Sequence, residues 1–174
     1  MTAFVALLRA VNVGGTGKLP MRDLAGLCST LGFEKVRTYI QSGNVVFHTE
    51  LSERTVAARL EHALHEHIGK PVGVQVRTAC ELKTIVEVNP FPTANPSRVG
   101  VLFLPEPPPR DAVSGVVCPA NEEVSATGRE IFIHYPDGMG RSKLKLPPSL
   151  SGGTMRNINT VRALAAMTAA KGAD

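Results

Sequence analysis

Tryptophan is absent from the 174 residues, and only two tyrosines and six phenylalanines are present. Single-stranded nucleic acids are commonly held by stacking bases on aromatic side chains, so this scarcity argues against a stacking platform. Cysteine is nearly as sparse. Cys28, Cys80 and Cys118 are odd in number, far apart, and in neither a CxxC pair nor a metal-ligand spacing. Cys28 and Cys80 fall within apolar helical patterns, so they are expected to be small buried hydrophobes, and no disulfide is expected. No apolar run approaches the roughly 18 residues needed to span a bilayer. MTAFVALLRAV lacks the basic leader, long apolar stretch and small-residue cleavage site of a secretory signal. No membrane contact and a cytoplasmic location are therefore expected.

Acidic residues are missing from both ends, the terminal Asp174 apart. Residues 1–22 carry Arg9, Lys18 and Arg22 without an acid, and residues 138–173 carry Arg141, Lys143, Lys145, Arg156, Arg162 and Lys171 without one. The segment between them is net acidic, although the whole chain is formally +4. The two ends either form a positive surface or are separate solvated faces. Otherwise the composition is that of a globular chain, 43% hydrophobic and 20% charged. At this length about 70% of the unfolded chain's surface can be buried without staples.

The patterning predicts a mixed architecture. FVALLRAV (4–11) reads as a buried strand. Pro20 suits a helix start, Met21, Leu24, Leu27 and Leu31 follow at helical spacing, and Gly32 is placed to stop that helix. VRTYI (36–40) and VVFHT (45–49) form a hairpin across QSGN, where Gly43 or Asn44 takes positive φ. Ser52 caps a second helix bearing Val56, Leu60, Leu64 and Ile68, closed by Gly69. VGVQVRT (72–78) alternates as a half-exposed strand does, and Thr78 with Glu81 forms a capping box for a third helix. The order β-α-β-β-α-β is that of an α+β, ferredoxin-like split βαβ domain, assigned to residues 1–89. A Pro-rich connection at 90–97 leads to a smaller α+β subdomain at 98–174. It comprises a strand at 98–104, a hairpin turning at Thr127-Gly128, and a last helix with Ile158, Val161, Leu164 and Ala165 inward, capped by Thr154 or Asn157.

In that topology the third strand lies antiparallel between the first and second. NVGGTGK (12–18), leaving the first strand, and QSGN (41–44), joining the second to the third, should then share one edge.

A phosphate-binding loop requires G-x-x-x-x-G-K-[ST]. Gly17 and Lys18 fit, but Asn12 replaces the first glycine and Leu19 the Mg²⁺-binding hydroxyl. Only Gly15 and Gly17 fit the dinucleotide pattern G-x-G-x-x-G. NVGGTGK is left either as an anion cradle, with backbone N–H groups and Lys18, or as a flexible connection. GMGRSK (138–143) repeats the chemistry with glycines, a hydroxyl and two cations, and TMRNINTV sets Arg156 beside a helix start. The histidines of EHALHEH (61–67) lack a third ligand, so no metal is expected. Ser42 is not in a nucleophile elbow, and no catalytic residues or cofactor are indicated. The third strand, NVVFHTE, lacks the basic-aromatic pattern of an RNA-recognition sheet.

ALLRAVNVGG…KLPM, RTYIQSGNVVF, GRSKL and TxRNxNTV occur here in one order between Ala6 and Val161. In this the chain resembles the bacterial family called domain of unknown function 1697. The resemblance implies a two-part α+β protein and brings no activity with it. The matching positions are Arg9, Asn12, Gly14, Lys18, Tyr39, Ser42, Gly43, Asn44, Arg141, Ser142, Lys143, Arg156 and Asn157. Where members continue a helix after the serine-lysine pair, Pro147-Pro148 and Ser151-Gly152-Gly153 interrupt this one. The expected function is binding of a phosphate-bearing small molecule or nucleotide-like ligand at a polar, basic cleft between the two parts. Lys18, Arg141, Lys143 and Arg156 would supply charge, with Asn12, Ser42 and Asn44 orienting. The alternatives are sequence-tolerant nucleic-acid binding through the basic ends, or a structural or oligomeric module without a ligand. The oligomeric state is not legible.

Overall fold

Strand β1 (Thr2–Leu8) is buried from Phe4 to Leu8 with no polar interruption, the signature of a strand covered on both faces. It belongs to a computed structural model that describes residues 1–13 and 18–169. The chain continues through α1 (Met21–Thr30), β2 (Glu34–Thr38), β3 (Asn44–Thr49), α2 (Glu53–Ile68), β4 (Val74–Thr78) and α3 (Ala79–Glu87). Then follow β5 (Val99–Phe103), β6 (Glu123–Thr127), β7 (Glu130–His134), β8 (Thr154–Asn157) and α4 (Ile158–Ala169). The fold is α+β, with two four-stranded antiparallel sheets ordered β2-β3-β1-β4 and β6-β7-β5-β8. The chain divides into two compact units, Met1–Lys83 with the segment from Leu164 onward, and Thr84–Ala163.

In the first unit β3 lies antiparallel between β1 and β2, as the element order predicts. Alternate residues Phe4, Ala6 and Leu8 of β1 join Val45 and Phe47 of β3 and Val74 and Val76 of β4 on one face. Leu24 and Cys28 of α1 and Val56, Leu60 and Leu64 of α2 pack against them. Phe33 stacks on Phe47 with ring centroids 4.4 Å apart. Local signals set the helix ends. Gly32, at φ +83°, donates to Ser29 O while Phe33 donates to Cys28 O, a Schellman closure of α1. Ser52 Oγ accepts from the Thr55 N–H to start α2, and Gly69 closes it in the left-handed region. Thr78 and Glu81 exchange backbone and side-chain bonds at the start of α3.

Three expectations need correction. β4 is not half-exposed: Gln75 and Arg77 are buried along with Val74 and Val76. A polar residue survives there when its tip finds an acceptor, and Arg77 Nη1 donates to the Val76 carbonyl at 2.8 Å. Cys80 is exposed, on the outer side of α3, whereas Cys28 is buried as expected. TMRN is a strand, β8, pairing with β5 from Gly100↔Asn157 to Phe103↔Thr154, so Thr154 lies in a sheet and does not cap a helix.

The second unit covers one face of its sheet largely without regular helix. Leu102, Leu104, Ile131, Ile133 and Tyr135 meet Ala112 and Leu150, with Val116, Leu144 and Leu146 alongside. The two covering segments are tied by a two-bond bridge between Val117 and Lys145. Residues 143–153 contain one helical turn, the 3₁₀ turn Pro148–Leu150. Gly153 lets this layer descend, since a Cβ there would lie 2.8 Å from Leu102 Cδ1.

Candidate functional site

The sequence-predicted residues of the first unit gather at the carboxyl end of β1. Asn12 staples the two loops there. Its Oδ1 accepts from Leu19 N–H at 2.7 Å, and its Nδ2 donates to Leu19 O and to Gln41 O, both at 2.8 Å. The edge shared by NVGGTGK and QSGN is therefore real, and both donor hydrogens of the Asn12 amide are consumed in making it. Gly14 lies outside the described residues, as do 15–17, so the loop is described only at its ends.

On the QSGN side, Asn44 is fully buried and its Nδ2 donates to Tyr39 O and Ser42 Oγ. The half-buried Tyr39 returns its N–H to Asn44 O at 3.0 Å. Gly43 takes φ +84° and accepts from Leu8 N–H at 2.8 Å. Backbone strain collects at this edge, because Ala10, Asn12 and Ile40 have φ of 54°, 56° and 48°. A left-handed β-branched residue is a genuine outlier. Arg9 and Lys18 are exposed on the same loops.

In the second unit Arg156 and Asn157 serve the frame. Arg156 is 8% exposed on β8, and Nη1 donates to Thr154 Oγ1 and Met155 O, both at 2.9 Å. Burial pulls its pKa down to about 10, so it stays charged at neutral pH. Arg156 is thus a buried strand residue and not a solvated charge at a helix start. Asn157 Oδ1 accepts from Asn159 N–H to cap α4, while Nδ2 donates to Ser97 O.

Arg141, Ser142 and Lys143 have a different setting. They line a cavity of about 190 Å³, with residues 119–122, Tyr135, Asp137 and Gly138 forming the remaining wall. Two local devices build it. Tyr135-Pro136-Asp137-Gly138 is a tight turn, closed by Gly138 N–H to Tyr135 O at 2.9 Å. The 3₁₀ turn Met139–Arg141 then reverses the chain, so that Ser142 points inward between two exposed cations. Ser142 Oγ donates to Glu122 Oε1 at 2.7 Å and accepts from Leu144 N–H at 3.1 Å. Ala120 N–H donates to Glu122 Oε2 at 3.1 Å.

The Ser142 hydroxyl, foremost, and backbone N–H groups hold the Glu122 carboxyl below its usual value, which keeps it ionised at neutral pH. Burial, then the charges of Glu122 and Cys118, raise the Tyr135 phenol to about 12, so it remains a donor. Arg141, Lys143 and Asp137 have no hydrogen bond or ion pair among the described residues. Opposite charges that share one small cavity are thus held apart. Among the described residues no three His, Cys, Asp or Glu side chains gather as a metal site, and no helix is long and apolar enough to cross a membrane.

Glu122, Tyr135 and Asp137 had no place in the sequence-level site. PDG at 136–138 is a turn signal that could have flagged Asp137. Glu122 and Ser142 are twenty residues apart, and no local pattern pairs them.

The sequence model of a family described as "Protein of unknown function (DUF1697)" matches residues 1–132. None of the curated proteins matches the chain. Among solved structures, a conserved bacterial protein from Streptococcus pneumoniae, SP0830, is similar with a TM-score of 0.76 and 24% identity. The similarity covers 96% of this chain and 98% of that one, and at this identity it speaks for the fold alone.

Proposed function

The chain belongs to the DUF1697 family of proteins of unknown function, and we propose that it binds a phosphate-bearing small molecule in the cavity walled by 119–122 and 135–143. The observation that carries this reading is the pair of uncommitted cations, Arg141 and Lys143, beside the open backbone of Gly138 in one concave site. Arg offers a planar fork of donors to phosphate oxygens and Lys a compact point charge. A nucleotide-like ligand would seat only its phosphate end in so small a volume. Asn12, Ser42 and Asn44 are read as framework, because their hydrogen bonds hold the first unit's edge together.

Thermal denaturation with inorganic phosphate and simple phosphomonoesters tests the reading. Ligand at 100 times its Kd stabilises by about 2.7 kcal/mol. Wild type should melt higher with phosphate, and Arg141→Ala and Lys143→Ala should lose the increment while melting normally without ligand. An increment that survives in both variants would place the phosphate elsewhere.

A further inference from the structure

Granted a phosphate on Arg141 and Lys143, the remaining charges of the cavity define the rest of its ligand. Glu122 and Asp137 line the same space as the two cations, so the wall carries two charges of each sign. A triphosphate or a nucleic-acid backbone would crowd several negative charges against both acids, at a distance where like charges repel. A ligand bearing one phosphate and one cation meets the wall with complementary signs.

The two acids differ in readiness. Glu122 already accepts from Ser142 and from Ala120 N–H, so each of its two oxygens already has a donor. Asp137 is exposed at the turn and has no hydrogen bond or ion pair among the described residues, although two cations line the same cavity. The cavity, about 190 Å³, has room for a phosphate and a short stem.

We infer that the cavity selects a short aminoalkyl phosphomonoester, with Arg141 and Lys143 taking the phosphate and Asp137 the ammonium. This inference rests on the phosphate reading of the same site. It goes beyond that reading by naming the second functional group of the ligand and the residue that recognises it. A phosphomonoester brings up to two negative charges to the two cations, whereas a diester brings one.

Titration calorimetry with O-phosphoethanolamine, ethyl phosphate, glycerophosphoethanolamine and ATP tests it on wild type and Asp137→Asn. O-phosphoethanolamine should bind at least about tenfold tighter than ethyl phosphate, the low end for one charge-assisted hydrogen bond. In Asp137→Asn that advantage should vanish, because O-phosphoethanolamine loses its ammonium partner while ethyl phosphate, relieved of one like charge, binds at least as tightly as before. Asp137 is exposed, and an unchanged circular dichroism melt verifies that the variant is folded. Equal affinity for the two monoesters in wild type, an advantage retained in Asp137→Asn, or tighter binding of ATP would overturn the inference and leave the phosphate site standing. The diester should bind more weakly than O-phosphoethanolamine, and equal affinity would overturn the assignment to a monoester. If no phosphate compound binds, the phosphate reading itself fails and the inference falls with it.

Discussion

Replacing Gly43 by alanine probes the edge on which the first unit is organised. The substitution meets two costs. Gly43 has φ +84°, where a side chain other than hydrogen costs about 1–2 kcal/mol. A Cβ there would also lie 2.5 Å from Val11 Cγ2 and 2.9 Å from Leu8 Cβ, and both neighbours are buried. Relieving such overpacking typically costs a further 1–3 kcal/mol or so. The total is about 2–5 kcal/mol, a large part of the roughly 5–15 kcal/mol by which a domain is stable. For a chain of this length, each kcal/mol lowers Tm by about 2–4 °C, so Gly43→Ala should melt about 4–20 °C below wild type. Gly26→Ala supplies a control of opposite sign. Gly26 lies inside α1, with nothing within 4 Å of an added Cβ, and alanine there should stabilise by about 0.5–1 kcal/mol. Urea denaturation of the two variants decides the matter. A Gly43→Ala midpoint within error of wild type would refute both the strained turn and the close approach of β1 to QSGN.

Asn12→Ala removes three hydrogen bonds and leaves a Cβ residue at φ 56°, so a loss of about 1–3 kcal/mol is expected by the same assay. Asn12→Gly should recover the backbone share of that loss but not the rest, and full recovery would mean that the staple contributes nothing. Burial raises the Cys28 thiol to about 12 from an ordinary value of 9.0. Its contribution to stability is therefore fully present below pH 9 and is lost as pH rises toward 12, because the unfolded chain ionises first. Urea midpoints between pH 8 and 10.5 should fall in wild type more steeply than in Cys28→Ala, and parallel slopes would contradict the burial. Alkylation of native protein should modify Cys80 and Cys118, both exposed, and reach Cys28 only on unfolding.

The features legible in the sequence are those fixed by neighbours a few residues away. Ser52 and Gly69 bound α2, Gly32 ends α1, and Thr78 with Glu81 opens α3, since each acts through bonds to its own turn. The meeting of NVGGTGK with QSGN was legible too, because the strand order forces those loops to one edge, and Asn12 realises it. Features set by distant partners were not. TMRN becomes β8 because β5 offers it a ladder, and nothing in four residues after a Gly-rich stretch announces that. Gln75 and Arg77 look outward-facing in the alternation of β4, yet tertiary cover buries them and Arg77 satisfies its tip on Val76 O.

The candidate site divides along the same line. GMGRSK shows Arg141 and Lys143 as cations in a glycine-bearing turn. The cavity depends also on Glu122, which arrives from a distant segment, and on Asp137, one residue before that turn. Arg156, which has the same charge and a similar glycine-rich approach in sequence, lies buried in a strand. Charge alone cannot separate the two cases, because the pairing of β5 with β8 decides which arginine faces solvent.

Amide chemical-shift mapping tests the central claim most directly. Titration of ¹⁵N-labelled protein with O-phosphoethanolamine should perturb residues 120–122, 137, 138 and 141–143, which line the cavity. Perturbations confined to other segments, or none at saturating ligand, would contradict a phosphate site at Arg141 and Lys143.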